Sequence, residues 1–314
     1  MRIGFLVDAT CDIPDEYIES GQVMIMPIGV RIGDYEVSDR RNAEVTLSFL
    51  DSDVARKASE AETRSLTVEE IRALFLERLV VEYDYVFCLT VTRERSPIFQ
   101  NATQASFGIL NDYQPIRAAA GHTTPFSLRV IDTGSLFSGQ AIPLVAGLAL
   151  QAERSDPPRI RTRIEHVAMH THSFAVPPDL YYLRSRARAK GDRSVGLMSA
   201  MLGTALDVKP ILHCNRGQTH PLAKARGFEP AAEKLFLAAA EDVRAGLMVP
   251  VVSLSFGGPL ETMRALPGYA ALAAACAQNG VQLMESPMSL TGIINIGKGV
   301  LSMGYAKEGK PALR

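Results

Sequence analysis

Three short apolar segments in the first half of this 314-residue chain most constrain its fold, because each is followed by polar residues and then by a helical pattern. The segments occupy residues 2–7, 85–90 and 127–132, and their length and apolar content predict β-strands. Alternation of strands with helices is typical of a parallel sheet with helices on its faces. The first half is therefore predicted to be an α/β domain whose mainly parallel sheet is flanked by helices.

Polar side chains stand where each of these strands ends. They are Asp8 and Thr10, Thr90 and Thr92, and Asp132 and Thr133. In open α/β sheets, ligands bind in the crevice outside the carboxyl ends of the strands. Any one of these residues is equally well explained as a helix cap, but their repetition after three strands favours a ligand site.

The second half of the chain has a less regular pattern. Residues 155–158 (SDPP) have the composition of a linker, so we predict two domains, residues 1–156 and 157–314. The turn 215–218 lies between two strand patterns and predicts a hairpin. Because helices and paired strands are combined in this half, its domain is predicted to be mixed α+β.

Shorter patterns predict local structure elsewhere. Thr67 and Glu70 have the spacing of a capping box at the start of a helix. Pro27 lies inside the apolar run 23–32 and indicates a sheet edge or a bulge. Residues 52–66 are polar and predict a loop, whereas residues 194–206 predict an apolar helix.

Composition and charge argue against several classes of protein. The formal net charge is −1, so there is no global attraction for nucleic acid. There is no uncharged run of about 18 apolar residues and no signal-peptide pattern. The four cysteines are far apart and form no CxxC pair, which is typical of reduced thiols. We expect a cytoplasmic protein that neither inserts stably into a membrane nor binds nucleic acid.

Recognisable catalytic motifs are missing from the sequence. It contains no GxxxxGK[ST] motif, no GxGxxG motif after a strand and no GxSxG motif. His166 and His170 share a predicted helix face and His172 follows, but no carboxylate completes a metal site. Cys11 lies before a helix without an identifiable histidine partner. This scarcity favours binding over catalysis.

Residues 179–226 place a basic cluster beside the apolar helix pattern. The cluster comprises Arg184, Arg186, Arg188, Lys190 and Arg193. It is open to interpretation as a solvated surface, as a nucleic-acid patch, or as a site for an anion or a protein partner. Arginine suits bidentate contacts to carboxylate or phosphate. The segment therefore predicts a ligand that has both an anionic group and an apolar body.

Several motifs, in order along nearly the whole chain, resemble those of the DegV family. Residues 8–14 (DATCDIP) resemble the family's D-S-T-x-D-[IL]-P start, and residues 130–139 (VIDTGSLFSG) resemble its V-I-D-S-x-x-x-S-x-G stretch. Residues 179–191 and 202–212 are similar to its L-x-Y-L-x-x-G-G-R-I and L-G-x-x-L-x-I-K-P-I-L block. The resemblance implies two α/β domains with a ligand tunnel between them.

The same resemblance implies that the chain binds a long-chain fatty acid as its ligand and has no other cofactor. In some bacteria such proteins present the acyl carboxylate to a separate fatty acid kinase, which is therefore an implied partner. A chain of about 16 carbons offers about 12 kcal/mol on burial, before the costs of ordering it. Its carboxylate needs hydroxyl, amide or guanidinium donors.

The family's carboxylate-binding motifs match this sequence unevenly. The T-S-Q-P-S segment falls on residues 63–67, where Arg64 replaces the first serine, and the S-S-x-L-S-G-T-Y segment falls on residues 92–99. The arginine of G-G-R-I falls on Arg188, and the histidine of H-T-G-P-G falls on Asn295. The resemblance thus implies a ligand site made of Thr63, Arg64, Ser65, Thr92, Ser96, Arg188 and Asn295.

Two alternatives remain open from the sequence. One is an enzyme that acts on a phosphorylated or carboxylated small molecule, with Asp8, Asp12 and Asp132 as its acids. The other is a divergent family member that binds a different apolar acid or serves as a regulator, since Arg64, Pro97 and Asn295 depart from the family motifs.

Overall fold

The computed structural model describes residues 1–52, 61–189 and 207–314. The strands of these residues are β1 (Ile3–Asp8), β2 (Val23–Met26), β3 (Ile28–Ile32), β4 (Tyr35–Asp39), β5 (Glu62–Ser65), β6 (Tyr85–Thr90), β7 (Ser127–Asp132), β8 (Thr171–Val176), β9 (Val208–Asn215), β10 (Gln218–Arg226), β11 (Val251–Phe256), β12 (Gln282–Pro287) and β13 (Leu301–Ala306).

The helices of the same residues are α1 (Glu16–Glu19), α2 (Ala43–Asp51), α3 (Val68–Leu74), α4 (Val80–Glu82), α5 (Ile98–Gly108), α6 (Tyr113–Ala119), α7 (Ser138–Ala152), α8 (Pro157–Met169), α9 (Leu180–Ala189), α10 (Phe228–Ala245), α11 (Leu260–Arg264), α12 (Tyr269–Gln278) and α13 (Leu290–Ile296). A π-helical turn, Phe75–Leu79, joins α3 to α4, and the predicted capping box of Thr67 and Glu70 begins α3. The helix predicted at residues 194–206 lies outside the described residues.

The three predicted strands of the first half lie together in a four-stranded parallel sheet of order β2-β1-β6-β7. Phe5 of β1 pairs with Val23 on one side and with Phe87 on the other. Separate apolar clusters cover the two faces of the sheet, which explains why its strands are almost continuously apolar. Because β2 is an edge strand and Pro27 ends it, the prediction made from Pro27 is confirmed.

A small antiparallel sheet has the order β4-β3-β5, and its central strand β3 comes directly after β2 in the chain. The prediction of a loop over residues 52–66 is wrong at β5, which pairs with β3. Thr63 and Ser65 are half-buried on one face of β5, while Glu62 and Arg64 are exposed on the other. β5 has no apolar residue of its own, so its extended conformation depends on its hydrogen-bonded pairing with β3.

The second large sheet has the order β10-β9-β8-β13-β11-β12 and contains both parallel and antiparallel pairs. The second half combines this sheet with helices, as predicted. Only β11 and β12 pair in parallel among its described strands. The predicted hairpin joins β9 to β10, and its two central residues, Arg216 and Gly217, have φ values of 51° and 80°. Positive φ at both positions is the signature of a tight hairpin turn.

Helix α7 lies between the two large sheets. Its N-terminus touches β13 directly, because a Cβ on Gly304 would lie 2.5 Å from the Cα of Gly139. One apolar cluster combines Phe5 of the first sheet, Ile142 of α7 and Val251 of the second sheet. The residues at the predicted linker begin α8, whose N-cap Asp156 accepts a hydrogen bond from the backbone of Arg159. Division into residues 1–156 and 157–314 stays a prediction.

The loop after β1 fastens the first sheet to the second through a buried ion pair. Oδ1 of Asp12 lies 3.0 Å from Nη1 of Arg41 and 2.9 Å from the backbone N–H of Ser289, and Oδ2 lies 2.6 Å from Oγ of Ser255. Nη2 of Arg41 donates to the carbonyls of Ile13 and Pro287, both at 3.0 Å. Burial raises the pKa of Asp12, and Arg41 and Ser255 oppose that shift.

Asp39 holds Arg41 in place. Its Oδ1 accepts from the backbone N–H of Arg41 and its Oδ2 accepts from the backbone N–H of Thr291. Arg41 has a φ of 65°, an unfavourable value for a residue with a side chain. Asp39 therefore joins β4 to α13 at the same point where Arg41 meets Asp12.

Two further features of the described residues bear on the sequence predictions. No helix among them is both long and apolar enough to cross a membrane. All four cysteines are free and buried, which agrees with the prediction of thiols.

We expect the substitution Asp12→Ala to destabilise the fold by about 3–5 kcal/mol, because it leaves the Arg41 guanidinium buried without its carboxylate. The control is Glu82→Ala, which breaks the exposed pair of Arg78 and Glu82 and should cost under about 1 kcal/mol. Urea denaturation measures both values. Equal losses for the two variants would contradict the role given to Asp12.

Candidate functional site

The second sheet packs against the strand ends at which a ligand crevice is predicted. Thr92 is fully buried, and its backbone N–H donates to the carbonyl of Ser135. The hairpin turn covers it, because the N–H of Gly217 donates to the carbonyl of Gly134 at 2.7 Å. A Cβ on Gly217 would lie 2.8 Å from Oγ1 of Thr92. The turn therefore packs directly against Thr92.

Side chains of β8 and β9 also contact the loop that follows β7. Oγ of Ser173 donates to the carbonyl of Leu136 at 2.8 Å, and Sγ of Cys214 lies 3.7 Å from the carbonyl of Gly134. Ser173 and Cys214 pair across β8 and β9, so they present the same face to the loop after β7. The loop after β7 is thus held against the second sheet.

The three acids proposed for an enzyme have structural partners. Asp8 is fully buried and accepts from the backbone N–H of Thr10 at 3.0 Å and from that of Val91 at 2.6 Å. Burial raises the pKa of Asp8, and its hydrogen bonds oppose the shift. Asp12 binds Arg41, and Asp132 accepts from Nε of Arg93 at 2.6 Å. These carboxylates hold loops together and do not face an open cleft together.

Three of the predicted ligand residues lie on or beside one face of β5. Thr63 and Ser65 are half-buried on that face, and Oγ of Ser65 lies 3.4 Å from Oγ of Ser96. Oγ of Ser96 also accepts from the backbone N–H of Ile98 at the start of α5. The structure therefore brings Thr63, Ser65 and Ser96 to one region and places Thr92 under the hairpin turn.

Arg64 points away from this region. Its guanidinium forms a two-point ion pair with Glu70, with distances of 2.8 and 3.1 Å, and its side chain is 62% exposed. Hydrogen bonds from Arg64 and from the backbone of Thr67 lower the pKa of Glu70 to about 2. Because alternate residues of a strand face opposite sides, Arg64 lies on the other face of β5 from Thr63 and Ser65.

At the other end of β5, the buried guanidinium belongs to Arg186 and not to Arg188. Nη1 of Arg186 donates to the carbonyl of Ala61, and Nη2 lies 3.5 Å from Oδ1 of Asn295. Arg186 is 3% exposed, whereas Arg188 is exposed. Burial lowers the pKa of Arg186. Asn295 is held in turn by the carbonyl of Thr291, to which its Nδ2 donates at 2.8 Å.

Helical phase explains which arginine is buried. Residues two positions apart in an α-helix lie about 200° apart around the helix axis, so Arg186 and Arg188 cannot both face the core. Leu180 and Leu183 are buried, and the same three-residue spacing leads next to Arg186. That spacing was present in the sequence and could have identified Arg186.

An apolar cluster lies beside β5 and takes residues from both halves of the chain. We call it the β5 cluster; it comprises Val30, Ile32, Phe49, Leu50, Ala61, Phe137, Ala175, Leu180, Leu183, Met288, Leu290, Ile293, Ile294, Ile296 and Val300. The hydroxyl of Tyr182 donates to the carbonyl of Ile294 at 2.6 Å and ties α9 to α13. Arg186 and Asn295 therefore stand at the edge of an apolar body, with Thr63 and Ser65 along the strand. We take this region as the candidate site.

The histidines do not form a metal site in the part of the chain that the structure describes, where no group of three or more potential ligands is found. The rings of His166 and His170 are 4.7 Å apart on α8, as the helix spacing predicted. His172 instead meets His213 of β9, with Nδ1 and Nε2 2.9 Å apart. Burial, together with His172 and His220, lowers the pKa of His213 to about 3.

Comparison with known proteins gives consistent matches. The model of the DegV family, described as "Uncharacterised protein, DegV family", matches residues 2–308. A DegV domain-containing protein of Xanthomonas campestris is 56% identical over 308 residues, 98% of each chain. A fatty acid-binding protein of Thermotoga maritima is 25% identical over 259 residues, 81% of this chain and 82% of that protein. The crystal structure of DegV, a fatty acid binding protein from Bacillus subtilis, matches with a TM-score of 0.74 and 19% identity over 98% of this chain and 100% of that one.

We expect Gly217→Ala to destabilise the protein more than Gly121→Ala, by about 1–3 kcal/mol. Both glycines have a φ of 80°, so the backbone strain is matched, but only the new methyl group at 217 meets Thr92. No atom lies within 4 Å of a Cβ on Gly121. Urea denaturation compares the variants, and indistinguishable midpoints would show that the hairpin turn does not cover Thr92.

The histidine pair predicts an acid-sensitive fold. Unfolded histidine has a pKa of about 6.5, whereas that of buried His213 is about 3, so the unfolded state binds the proton first as the pH falls. Stability should therefore drop by about 1.4 kcal/mol per pH unit for this residue between about pH 6 and pH 3. Denaturation midpoints over this range should fall less steeply for His213→Phe than for the wild type. Parallel profiles would contradict the assignment.

Proposed function

The chain belongs to the DegV family, and from this premise we propose that it binds a long-chain fatty acid. The carboxylate lies at the candidate site, and the acyl chain lies against the β5 cluster in a tunnel between residues 1–156 and 157–314. Fatty acid binding by the Thermotoga maritima relative supports this proposal.

The buried guanidinium of Arg186 at the edge of the β5 cluster is the observation that carries the proposal. A carboxylate cannot enter an apolar site without donors, and an arginine gives it charge-assisted hydrogen bonds. Asn295 lies beside this guanidinium, with its Oδ1 3.5 Å from Nη2 of Arg186. Methylene burial then supplies the favourable free energy, about 0.8 kcal/mol for each CH₂ group.

Two departures from the family motifs, at Asn295 and Arg64, bear on whether the protein presents its ligand to a kinase. Asn295 stands where the resemblance has a histidine, and its amide does not titrate. Arg64 is engaged by Glu70. The site of this chain therefore suits holding a carboxylate, and presentation of that carboxylate to a fatty acid kinase in the cytoplasm is a further proposal that the fatty acid binding itself does not require.

The burial and hydrogen bonds of the carboxylates Asp8 and Asp12 also favour a binding role over an enzymatic one. Asp8 and Asp12 are fully buried, and their oxygens accept hydrogen bonds from neighbouring loops. A general acid or base must reach its substrate, which these two carboxylates do not. The second candidate is a different apolar acid, favoured by the replacement of the family histidine with Asn295.

Organic extraction of the purified protein, followed by mass spectrometry, tests the proposal. We expect an acyl chain of about 16 carbons to copurify, or to bind after the ligand has been removed. Recovery of another apolar acid would favour the second candidate. If no acyl chain copurifies and none binds, the proposal is wrong.

Substitution of the two arginines separates the candidate site from the surface of α9. We expect Arg186→Met to weaken fatty acid binding about 10- to 100-fold, because a hydrogen bond to a charged group is worth about 1.5–3 kcal/mol. Arg188→Met is the matched control and should leave affinity within about twofold. Titration calorimetry on the delipidated proteins gives both constants, and circular dichroism checks that both fold. A larger loss for Arg188→Met would reverse the assignment.

A further inference from the structure

The side-chain amide of Asn295 has a fixed orientation beside Arg186. Its Nδ2 donates to the carbonyl of Thr291 at 2.8 Å, and its Oδ1 lies 3.5 Å from Nη2 of Arg186. Exchange of the two amide atoms would set Nδ2 against the guanidinium and Oδ1 against the carbonyl oxygen, so both neighbours select the observed orientation. Asn295 therefore presents an acceptor, and not a donor, on the side of Arg186.

The elements that carry these two side chains are tied together. The hydroxyl of Tyr182, one turn before Arg186 on α9, donates at 2.6 Å to the carbonyl of Ile294, the residue before Asn295 on α13. Nη1 of Arg186 donates to the carbonyl of Ala61 at the start of β5. A cationic donor and a neutral acceptor are thus held 3.5 Å apart, a separation that suits two neighbouring polar groups of one ligand.

The acceptor of Asn295 stands at the edge of an apolar surface. Ile294 and Ile296 on either side of it are buried in the β5 cluster, whereas Asn295 is half-buried. Its contact with Arg186 is long for a hydrogen bond, and an amide oxygen can accept two. An acyl chain that covers the β5 cluster would take water away from this oxygen. That loss costs free energy unless the ligand supplies a donor in place of the water.

An ionised carboxylate does not supply this donor, because both of its oxygens are acceptors. Beside Arg186 it gains charge-assisted hydrogen bonds, but towards Asn295 it sets one acceptor against another. A hydroxyl group close to the carboxylate would donate to Oδ1 of Asn295 while the carboxylate stays on Arg186. We propose that the site prefers a long-chain fatty acid that carries a hydroxyl group on its second or third carbon.

This inference rests on the proposed function, because it places the carboxylate at Arg186. It goes further by naming the class of acid and by making Asn295 the residue that determines specificity. A histidine at this position, as in the resembling motif, can donate from a ring N–H, whereas the donor of Asn295 is already engaged by Thr291. The replacement therefore changes which head group the site accepts best.

Titration calorimetry on the delipidated full chain tests the preference with hexadecanoate and its 2-hydroxy, 3-hydroxy and 16-hydroxy derivatives. We expect the 2-hydroxy or the 3-hydroxy acid to bind at least about threefold more tightly than hexadecanoate, as one added neutral hydrogen bond allows. The comparison of these two acids identifies the carbon that bears the hydroxyl. The 16-hydroxy acid is the matched control, and it should bind no more tightly than hexadecanoate because its hydroxyl enters the apolar region.

Variants assign the preference to Asn295. Asn295→Leu keeps a similar size and removes the acceptor, and Asn295→His offers a donor. In each variant the ratio of the dissociation constants of hexadecanoate and the preferred hydroxy acid should fall to about one. Arg188→Met changes an exposed arginine on α9 and should keep the wild-type ratio. Circular dichroism checks that the variants fold.

The outcomes separate this inference from the proposed function. A gain below about threefold for both the 2-hydroxy and the 3-hydroxy acid, or a preference that persists in Asn295→Leu, would overturn the inference and leave fatty acid binding standing. Binding of none of the four acids would overturn both.

Discussion

The ion pair of Asp12 and Arg41 is the interaction on which the rest of the structure depends. Both side chains are buried, so the cost of removing them from water must be offset by their mutual attraction and by added hydrogen bonds. Those bonds come from Ser255 on β11 and from the backbone at Ser289, and Arg41 itself reaches the end of β12. A loop that follows the first strand thus holds the far edge of the second sheet.

The same junction positions the candidate site. Ser289 is the N-cap of α13, and its Oγ accepts from the backbone of Gly292. Oδ2 of Asp39 accepts from the backbone N–H of Thr291, two residues further along. The carbonyl of Thr291 accepts from Nδ2 of Asn295. Asn295 lies beside Arg186 at the end of β5. The orientation of the site therefore follows from a chain of hydrogen bonds that begins at the buried carboxylates.

Much of the architecture could be predicted from the sequence, because it depends on local patterns. Apolar strands followed by helices predicted the parallel sheet, and the turn residues Asn215 to Gln218 predicted the hairpin. β5 was missed because its four polar residues carry no apolar signal and its stability comes from pairing with β3. The motif resemblance points to Arg188, whereas the helical phase set by Leu180 and Leu183 buries Arg186. A sequence does not show what packs against the polar strand ends, where the structure places the hairpin turn beside Thr92.

We propose that the strand ends of the first sheet join it to the second sheet, while the ligand binds along β5. Hydrogen exchange, followed by mass spectrometry on the delipidated protein with and without a saturated acid of about 16 carbons, tests it most directly. We expect added protection at residues 28–32, 61–65, 180–189 and 290–296, and no change at residues 8–12 and 132–136. Protection that appears at residues 8–12 and 132–136 instead, with β5 and α9 unaffected, would contradict the claim.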